Sequence, residues 1–75
     1  MTNQEAADLF RKLNLEGNGF AIGEDEDTIE EAIERDGYTL IHVYRGFIHE
    51  AEGKGMRILV GGDGMGRNAW AVRIQ

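Results

Sequence analysis

Apolar side chains recur at helical spacing over the first fifteen residues. Four of them follow the pattern i, i+3, i+4, i+7 and form one stripe: Ala6, Leu9, Phe10 and Leu13. Thr2 and Glu5 precede the stripe at the spacing of a capping box, in which each side chain accepts a hydrogen bond from the other residue's backbone N–H. Gly17 is a natural stop. The pattern predicts an amphipathic helix that ends before Gly17.

A short strand and a second helix are predicted next. Residues 19–23 are bounded by glycines and place two apolar side chains on one face, as a short strand does. Asp27 and Glu30 have the spacing of a second N-terminal box, with Asp27 in place of the usual Ser or Thr. A narrow apolar stripe follows: Ile29, Ala32 and Ile33. We expect a helix of about three turns that ends at Gly37.

From Tyr38 onward the period of the apolar residues changes from helical to alternating. Residues 38–44 are β-branched and aromatic on both faces, as in a central strand. Residues 47–52 and 56–60 flank Gly53-Lys54, which favours a hairpin turn. That turn would pair Glu50 with Arg57 and Ala51 with Met56. One face of the hairpin would then be largely apolar: Phe47, His49, Ala51, Met56, Ile58 and Val60.

The last hairpin offers a choice of register. A two-residue turn at Asp63-Gly64 would put Trp70, Val72 and Ile74 on the face opposite Ile58. A slip of one residue moves every side chain to the other face, so an odd-length loop through residues 61–66 would restore a single apolar face. We expect this bulged or longer loop, with Met65 at its tip as a contact point. The other face would be small and basic: Arg57, Leu59, Ala69, Ala71 and Arg73.

The element order α-β-α-β-β-β predicts a single small acidic α+β domain over residues 1–75. We expect a two-layer sandwich, with both helices packed on one face of a three- to four-stranded, mainly antiparallel sheet. If the strand at 19–23 pairs in parallel with that at 38–44, the residues between them are long enough for a right-handed crossover.

Composition narrows the class of protein. The 75 residues contain no Cys, which excludes a disulfide framework and thiolate zinc sites and favours a reducing cytoplasm. The N-terminal ten residues do not have the pattern of a signal peptide, and no apolar run reaches the roughly 18 residues of a membrane span. The net charge of −6 does not favour direct nucleic-acid binding, which requires a basic patch.

The side chains that usually carry chemistry are few, and we expect neither an enzyme nor a cofactor. Ser and Cys are absent. The loop GGDGMG joins two predicted strands and has no Lys-Ser/Thr ending, so it does not match a phosphate-binding loop. His42 and His49 are an odd number of residues apart and should lie on opposite faces of a strand, which argues against a shared metal ion. We expect no metal site.

The charge is strongly uneven along the chain. Residues 1–37 carry a net charge of −8 and residues 38–75 a net charge of +2. Residues 24–34, here called the acidic segment, contain seven acids: Glu24, Asp25, Glu26, Asp27, Glu30, Glu31 and Glu34. The helix dipole accounts for acids near a helix N-terminus, such as Asp27 and Glu30, but seven mutually repelling carboxylates exceed what one short helix needs. We interpret the acidic segment as a partner-binding surface.

The leading hypothesis is a non-enzymatic regulator or inhibitor whose acidic segment mimics nucleic acid and blocks a basic, nucleic-acid-handling protein. The compact acidic character is similar, as a class, to that of small phage-encoded inhibitors of host nucleases, including anti-CRISPR proteins. No stretch of residues identifies a family. Two alternatives are a ligand- or nucleic-acid-binding module that uses a basic sheet face with Arg57 and Arg73, and a homodimeric structural protein with Trp70 in its interface.

Overall fold

The computed structural model describes residues 1–63 and 66–75 and shows two helices and five strands in these ranges. In chain order they are α1 (Asn3–Leu15), β1 (Gly19–Ala21), α2 (Ile29–Arg35), β2 (Thr39–Tyr44), β3 (Ile48–Gly53), β4 (Met56–Gly61) and β5 (Trp70–Arg73). The predicted order α-β-α-β-β-β describes the first six elements, and a further strand, β5, follows them. The sheet has one strand more than the upper predicted number.

The five strands form one antiparallel sheet in the order β1-β5-β4-β3-β2. This confirms an α+β fold with a mainly antiparallel sheet. The conditional prediction of a parallel crossover is wrong, because β1 pairs with β5 and lies at the opposite edge from β2. In that position Phe20 stands opposite Ala71 and packs against the buried apolar cluster to which Ala71 belongs.

The first helix follows its local sequence closely. Thr2 Oγ1 accepts a hydrogen bond from Glu5 N at 3.0 Å, and Glu5 Oε1 accepts one from Thr2 N at 2.8 Å, so the predicted capping box is present. Gly17 follows the helix with a φ of +80°, a conformation that a residue with a Cβ rarely adopts. The predicted apolar stripe of α1 packs against β3, β4 and β5.

The two helices pack on opposite faces of the sheet. Leu59 of β4 belongs to the apolar cluster of α1, whereas its neighbours Ile58 and Val60 belong to that of α2. The structure therefore differs from the expected placement of both helices on one face. The physical reason lies in the central strands, which carry apolar residues at consecutive positions and so have two faces to cover. We call these the α1 face and the α2 face.

The hairpin between β3 and β4 has a different turn from the predicted one. Lys54 and Gly55 occupy the turn with φ values of 55° and 74°, as a type I′ turn requires. Glu52 therefore pairs with Arg57, and Gly53 with Met56, in place of the predicted pairs. Arg57 pairs with Glu52 in place of Glu50, so the register has shifted by two residues, and a shift of two leaves every side chain on its face. Ala51, Ile58 and Val60 share the α2 face as predicted, but exposed Phe47 lies outside the strand.

The prediction of a single apolar face for the last hairpin is wrong. Leu59 pairs with Val72 and Val60 with Ala71, so Val72 lies on the α1 face and Ala71 on the α2 face. Because a helix covers each face, the apolar residues do not need to converge on one side. The expected contact residue Met65 and its neighbour Gly64 lie outside the described residues.

The second helix begins one residue later than predicted and is shorter. Thr28 is its N-cap residue and forms a capping box with Glu31, so Asp27 does not cap the helix as expected. The helix has seven residues, and Asp36 is its C-cap. Three of its residues are buried against the α2 face: Ile29, Ala32 and Ile33.

Candidate protein-binding surface

The acidic segment contains one buried carboxylate, that of Asp27. Its residue is 6% exposed, and Oδ2 accepts hydrogen bonds from Arg35 Nε at 2.7 Å and from Glu24 N at 2.9 Å. Oδ1 accepts a further bond from Arg35 Nη2 at 3.1 Å. Asp27 therefore joins the turn before α2 to the last turn of the helix, and its carboxylate faces inward in the described structure.

This contact changes the ionisation of both partners. The hydrogen bond from the Arg35 guanidinium, together with the one from Glu24 N, lowers the pKa of Asp27. The same pair raises the pKa of Arg35, chiefly through the hydrogen bond to Asp27. A bidentate, charge-assisted pair of this kind is among the stronger side-chain hydrogen bonds. Glu31 stands four residues before Arg35, the spacing of a helical ion pair, but Arg35 forms its hydrogen bonds with Asp27.

Arg67, next to the glycine-rich loop, holds the acidic segment from the other side. Its guanidinium donates a hydrogen bond to the carbonyl oxygen of Glu26 and lies 3.7 Å from the Glu26 carboxylate. A β-bridge also joins Arg67 to Thr28. Glu26 has a φ of +76°, which only a supported turn maintains in a residue with a side chain. The two arginines thus fix a turn that is built almost entirely of acidic residues.

Glu31 has a structural contact as well as an exposed position. Its Oε1 accepts a hydrogen bond from Thr28 N at 3.0 Å, and this bond lowers the pKa of Glu31. The carboxylate therefore remains ionised to a lower pH than an ordinary glutamate. It adds negative charge to the surface while it caps the helix.

The six acidic residues other than Asp27 are exposed, and we call them the acidic patch: Glu24, Asp25, Glu26, Glu30, Glu31 and Glu34. Within the described residues, the side-chain carboxylates of Asp25 and Glu34 have no hydrogen bond or ion pair. Glu30 Oε1 lies 3.8 Å from His49 Nε2. The patch thus presents carboxylates to solvent from a segment whose backbone is fixed by Asp27, Arg35 and Arg67. Such a surface can accept hydrogen bonds and ion pairs from lysine and arginine side chains.

The basic residues proposed for an alternative binding face are not gathered together. Arg57 Nη2 lies 3.2 Å from Glu52 Oε2, and Arg57 Nε lies 3.6 Å from Glu50 Oε2. Arg73 pairs with Ile58 and so lies on the α2 face, opposite the face of Leu59 and Arg57. The prediction of one small basic face is therefore wrong. Arg57 also has its charge offset by two glutamates.

A buried polar contact lies beside Arg57 on the α1 face. Tyr44 donates a hydrogen bond to Glu50 Oε1 at 2.5 Å, and both residues are buried. This bond, with burial as the second cause, raises the pKa of Tyr44. The contact joins the edge strand β2 to its neighbour β3.

Trp70 makes contacts within the fold although it is partly exposed. Its indole Nε1 donates a hydrogen bond to Asn14 Oδ1 near the end of α1, while the residue remains partly exposed. Gly19 lies directly against the indole, where a Cβ would collide with it. The indole therefore joins β1, β5 and α1, which gives Trp70 a role within the monomer.

The two histidines lie on opposite faces of the sheet, as predicted. His42 pairs with Glu50, and Val43 with His49, so the two imidazoles project to different sides. His49 is only 6% exposed, and its Nδ1 has no hydrogen-bond partner in the described part of the chain. Its burial among apolar residues of the α2 face agrees with a core position.

Neither of the helices in residues 1–63 and 66–75 combines the length and apolar character needed to cross a membrane.

Comparison with known proteins adds no constraint to this geometry. Comparisons of the chain with protein-family models, with curated proteins and with solved structures gave no match.

Proposed function

We propose that this protein is a non-enzymatic regulator or inhibitor that binds a basic surface of another protein through its acidic patch. The target is a protein that handles nucleic acid, and the patch occupies the site where that protein binds phosphates. Such a target already has lysine and arginine side chains arranged to neutralise closely spaced negative charge. Carboxylates on a fixed backbone are suited to the same contacts.

The observation that supports this proposal most directly is that the acids of the acidic segment have two different positions, one buried and six exposed. One carboxylate, Asp27, is turned inward and binds Arg35, while the six others remain exposed. Two arginines fix the turn by hydrogen bonds to a buried carboxylate and to a backbone carbonyl. The exposed charges are therefore held in place before binding, which lowers the entropy that association must overcome.

The cost of the exposed charges also supports a binding role. Glu30 and Glu34 stand four residues apart on α2, a spacing at which like charges destabilise a helix by a few tenths of a kcal/mol. Neither carboxylate caps the helix. Opposed charge on a partner would relieve this repulsion and speed the encounter of the two proteins, chiefly at low salt.

The proposal is tested by affinity capture from a nuclease-treated bacterial lysate with two matched variants. Glu30→Gln/Glu34→Gln removes two charges from the acidic patch, and Asp8→Asn/Glu16→Gln removes two exposed charges from α1 and the residue after it. We expect the native protein and the second variant to retain the same basic protein, and the first variant to lose it. Competing duplex DNA should release the captured protein.

Capture that is equal for both variants would contradict the proposal, and so would a captured protein that DNA does not displace. The first result would show that binding does not depend on the acidic patch in particular. The second would show that the target surface is not a nucleic-acid site.

A further inference from the structure

The two edges of the sheet differ in length and in exposure. The edge strand β1 has three residues, whereas the edge strand β2 has six. Three apolar side chains of β2 are exposed: Leu40 at 39%, Ile41 at 41% and Val43 at 48%. In the described part of the chain, no strand pairs with the outer side of β2. Its outer N–H and C=O groups are therefore available to an added strand.

The usual protections of an edge strand are weak here. Charged side chains, Pro and bulges keep edges from pairing with other chains. The sequence of β2, Thr39–Tyr44, contains no Lys, Arg, Asp, Glu or Pro. It has one irregularity, a register shift between Leu40 and His42. Residues 42–44 beyond the shift pair regularly with β3, so this end of β2 offers a regular edge.

The acidic patch adjoins this edge on the α2 face. Helix α2 packs against β2, and Val43 pairs with His49, so these two side chains share a face. Glu30 Oε1 lies 3.8 Å from His49 Nε2 on that face. Neighbouring strands are about 4.8 Å apart, so a strand added to β2 would run about 10 Å from β3. A lysine or arginine on the added strand could extend its long stem over Val43 toward Glu30.

The charge of the same region selects the occupant. A second copy that paired antiparallel with β2 would be related by a two-fold axis through the sheet, which keeps both α2 helices on the same side. Two acidic patches would then face each other across the new strand pair, in a chain whose net charge is already −6. A basic segment meets attraction in the same place.

We propose that β2 accepts an extended segment of the partner as a sixth strand, with apolar residues on the edge and lysine or arginine residues beside the acidic patch. This is strand addition, in which backbone hydrogen bonds supply affinity and alternate side chains supply specificity. It rests on the proposed function, because it names the part of the basic partner that binds.

The test uses two ten-residue peptides of equal composition with the full-length protein. One alternates lysine and valine, and the other has five lysines followed by five valines. Binding is measured by fluorescence anisotropy, and protection of the β2 amides by NMR hydrogen exchange. Val43→Lys places a charge on the edge, and Leu15→Lys adds the same charge at an exposed apolar position at the end of α1.

We expect the alternating peptide to bind about tenfold more tightly than the block peptide and to protect outward-facing amides of β2. Val43→Lys should weaken its binding about tenfold, while Leu15→Lys should leave it within about twofold. Glu30→Gln/Glu34→Gln should also bind the alternating peptide more weakly than the native protein does. The difference in affinity should increase as the salt concentration is lowered, since the charge attraction is then greatest.

Four results would overturn the proposal. Two of them, unprotected β2 amides and native affinity in Val43→Lys, would exclude strand addition. The proposed function would still stand in those cases if Glu30→Gln/Glu34→Gln lost binding. Peptide binding that is unchanged by the Glu30 and Glu34 substitutions would exclude a basic occupant. A dimer of the protein alone that Val43→Lys dissociates would assign the edge to a second copy.

Discussion

The two helices begin in the same way and differ in charge. Each has a threonine N-cap and a glutamate three residues later in a complete capping box, and each packs an apolar stripe on its own face of the sheet. Within α1 the acids and bases balance, with two of each. Helix α2 contains three acids and one base, and the turn before it adds four acids.

The comparison separates the carboxylates that form contacts within the fold from those that do not. One glutamate in each helix is accounted for by its cap, and Asp27 by its contact with Arg35. The second acid of α1, Asp8, accepts a hydrogen bond from Gln4 and lies 3.8 Å from Arg11, so both acids of α1 have contacts within the helix. The surplus on α2, typified by Glu30 and Glu34, calls for a role outside the fold, and partner binding is the one we propose.

The largest predicted effects test whether each helix has its own core. Leu59 and Ile58 are consecutive residues of β4, both fully buried, one under each helix. We expect Leu59→Ala and Ile58→Ala each to lower the free energy of unfolding by about 2–5 kcal/mol, since each leaves a cavity. Urea denaturation gives both values. A cost below about 1 kcal/mol for Leu59→Ala would contradict a second buried face.

The next effect distinguishes the inward carboxylate from its exposed neighbours. Asp27→Asn should lower the melting temperature, because asparagine cannot form the charged pair with Arg35. Asp25→Asn is the matched control and should change the free energy of unfolding by no more than about 0.5 kcal/mol. Equal melting temperatures for the two variants would remove Asp27 from its structural role.

The Asp27 contact also predicts a dependence on pH. The pKa of Asp27 is lower in the folded protein than in the unfolded chain, so its stabilisation is fully present above the unfolded value of about 3.9. That stabilisation is lost as the pH falls through the lower, folded value. We expect the melting temperature of the native protein to fall below about pH 4, and to fall less in Asp27→Asn. Parallel pH profiles for the two proteins would contradict this.

A smaller effect tests the equivalence of the two caps. Thr2→Ala and Thr28→Ala each remove a hydroxyl that accepts from a backbone N–H, which should cost about 1 kcal/mol in the free energy of unfolding. Chemical denaturation of both variants measures this. If Thr28→Ala had no effect while Thr2→Ala did, residue 28 would not be the cap of α2.

The smallest effect concerns the surplus charges themselves. Glu30→Gln/Glu34→Gln should leave the fold intact and stabilise it by at most a few tenths of a kcal/mol, because a repulsive pair is removed. Thermal denaturation at low salt is the sensitive condition. A loss above about 1 kcal/mol would mean that these carboxylates hold the fold together, and their surplus would need no partner.

The sequence predicts most reliably what neighbouring residues determine. The cap, stripe and end of α1 depend on residues within a few positions of one another, and all are confirmed. The face shared by Ala51, Ile58 and Val60 is also confirmed, although the turn is misplaced. A register shift of two residues leaves every side chain on the same face of the strand. The faces of the last hairpin were predicted wrongly because coverage of both faces by helices is a tertiary property.

The scaffold of the acidic segment could not be predicted in the same way. The contact of Arg67 with Glu26 joins residues 41 positions apart, and no local pattern indicates it. Local spacing favours Glu31, four residues before Arg35, as its partner, yet Arg35 binds buried Asp27, which precedes the helix. The acids themselves were visible in the sequence. Which of them faces inward follows only from the packing of the turn against α2.

The central claim is that the acidic patch binds a basic surface, and the salt dependence of binding tests it most directly. The logarithm of the affinity for the captured basic protein would be measured against the logarithm of salt concentration for the native protein and for Glu30→Gln/Glu34→Gln. We predict weaker binding and a shallower slope for the variant, because fewer charge contacts form, and native values for Asp8→Asn/Glu16→Gln. An affinity and slope unchanged by Glu30→Gln/Glu34→Gln would contradict the claim.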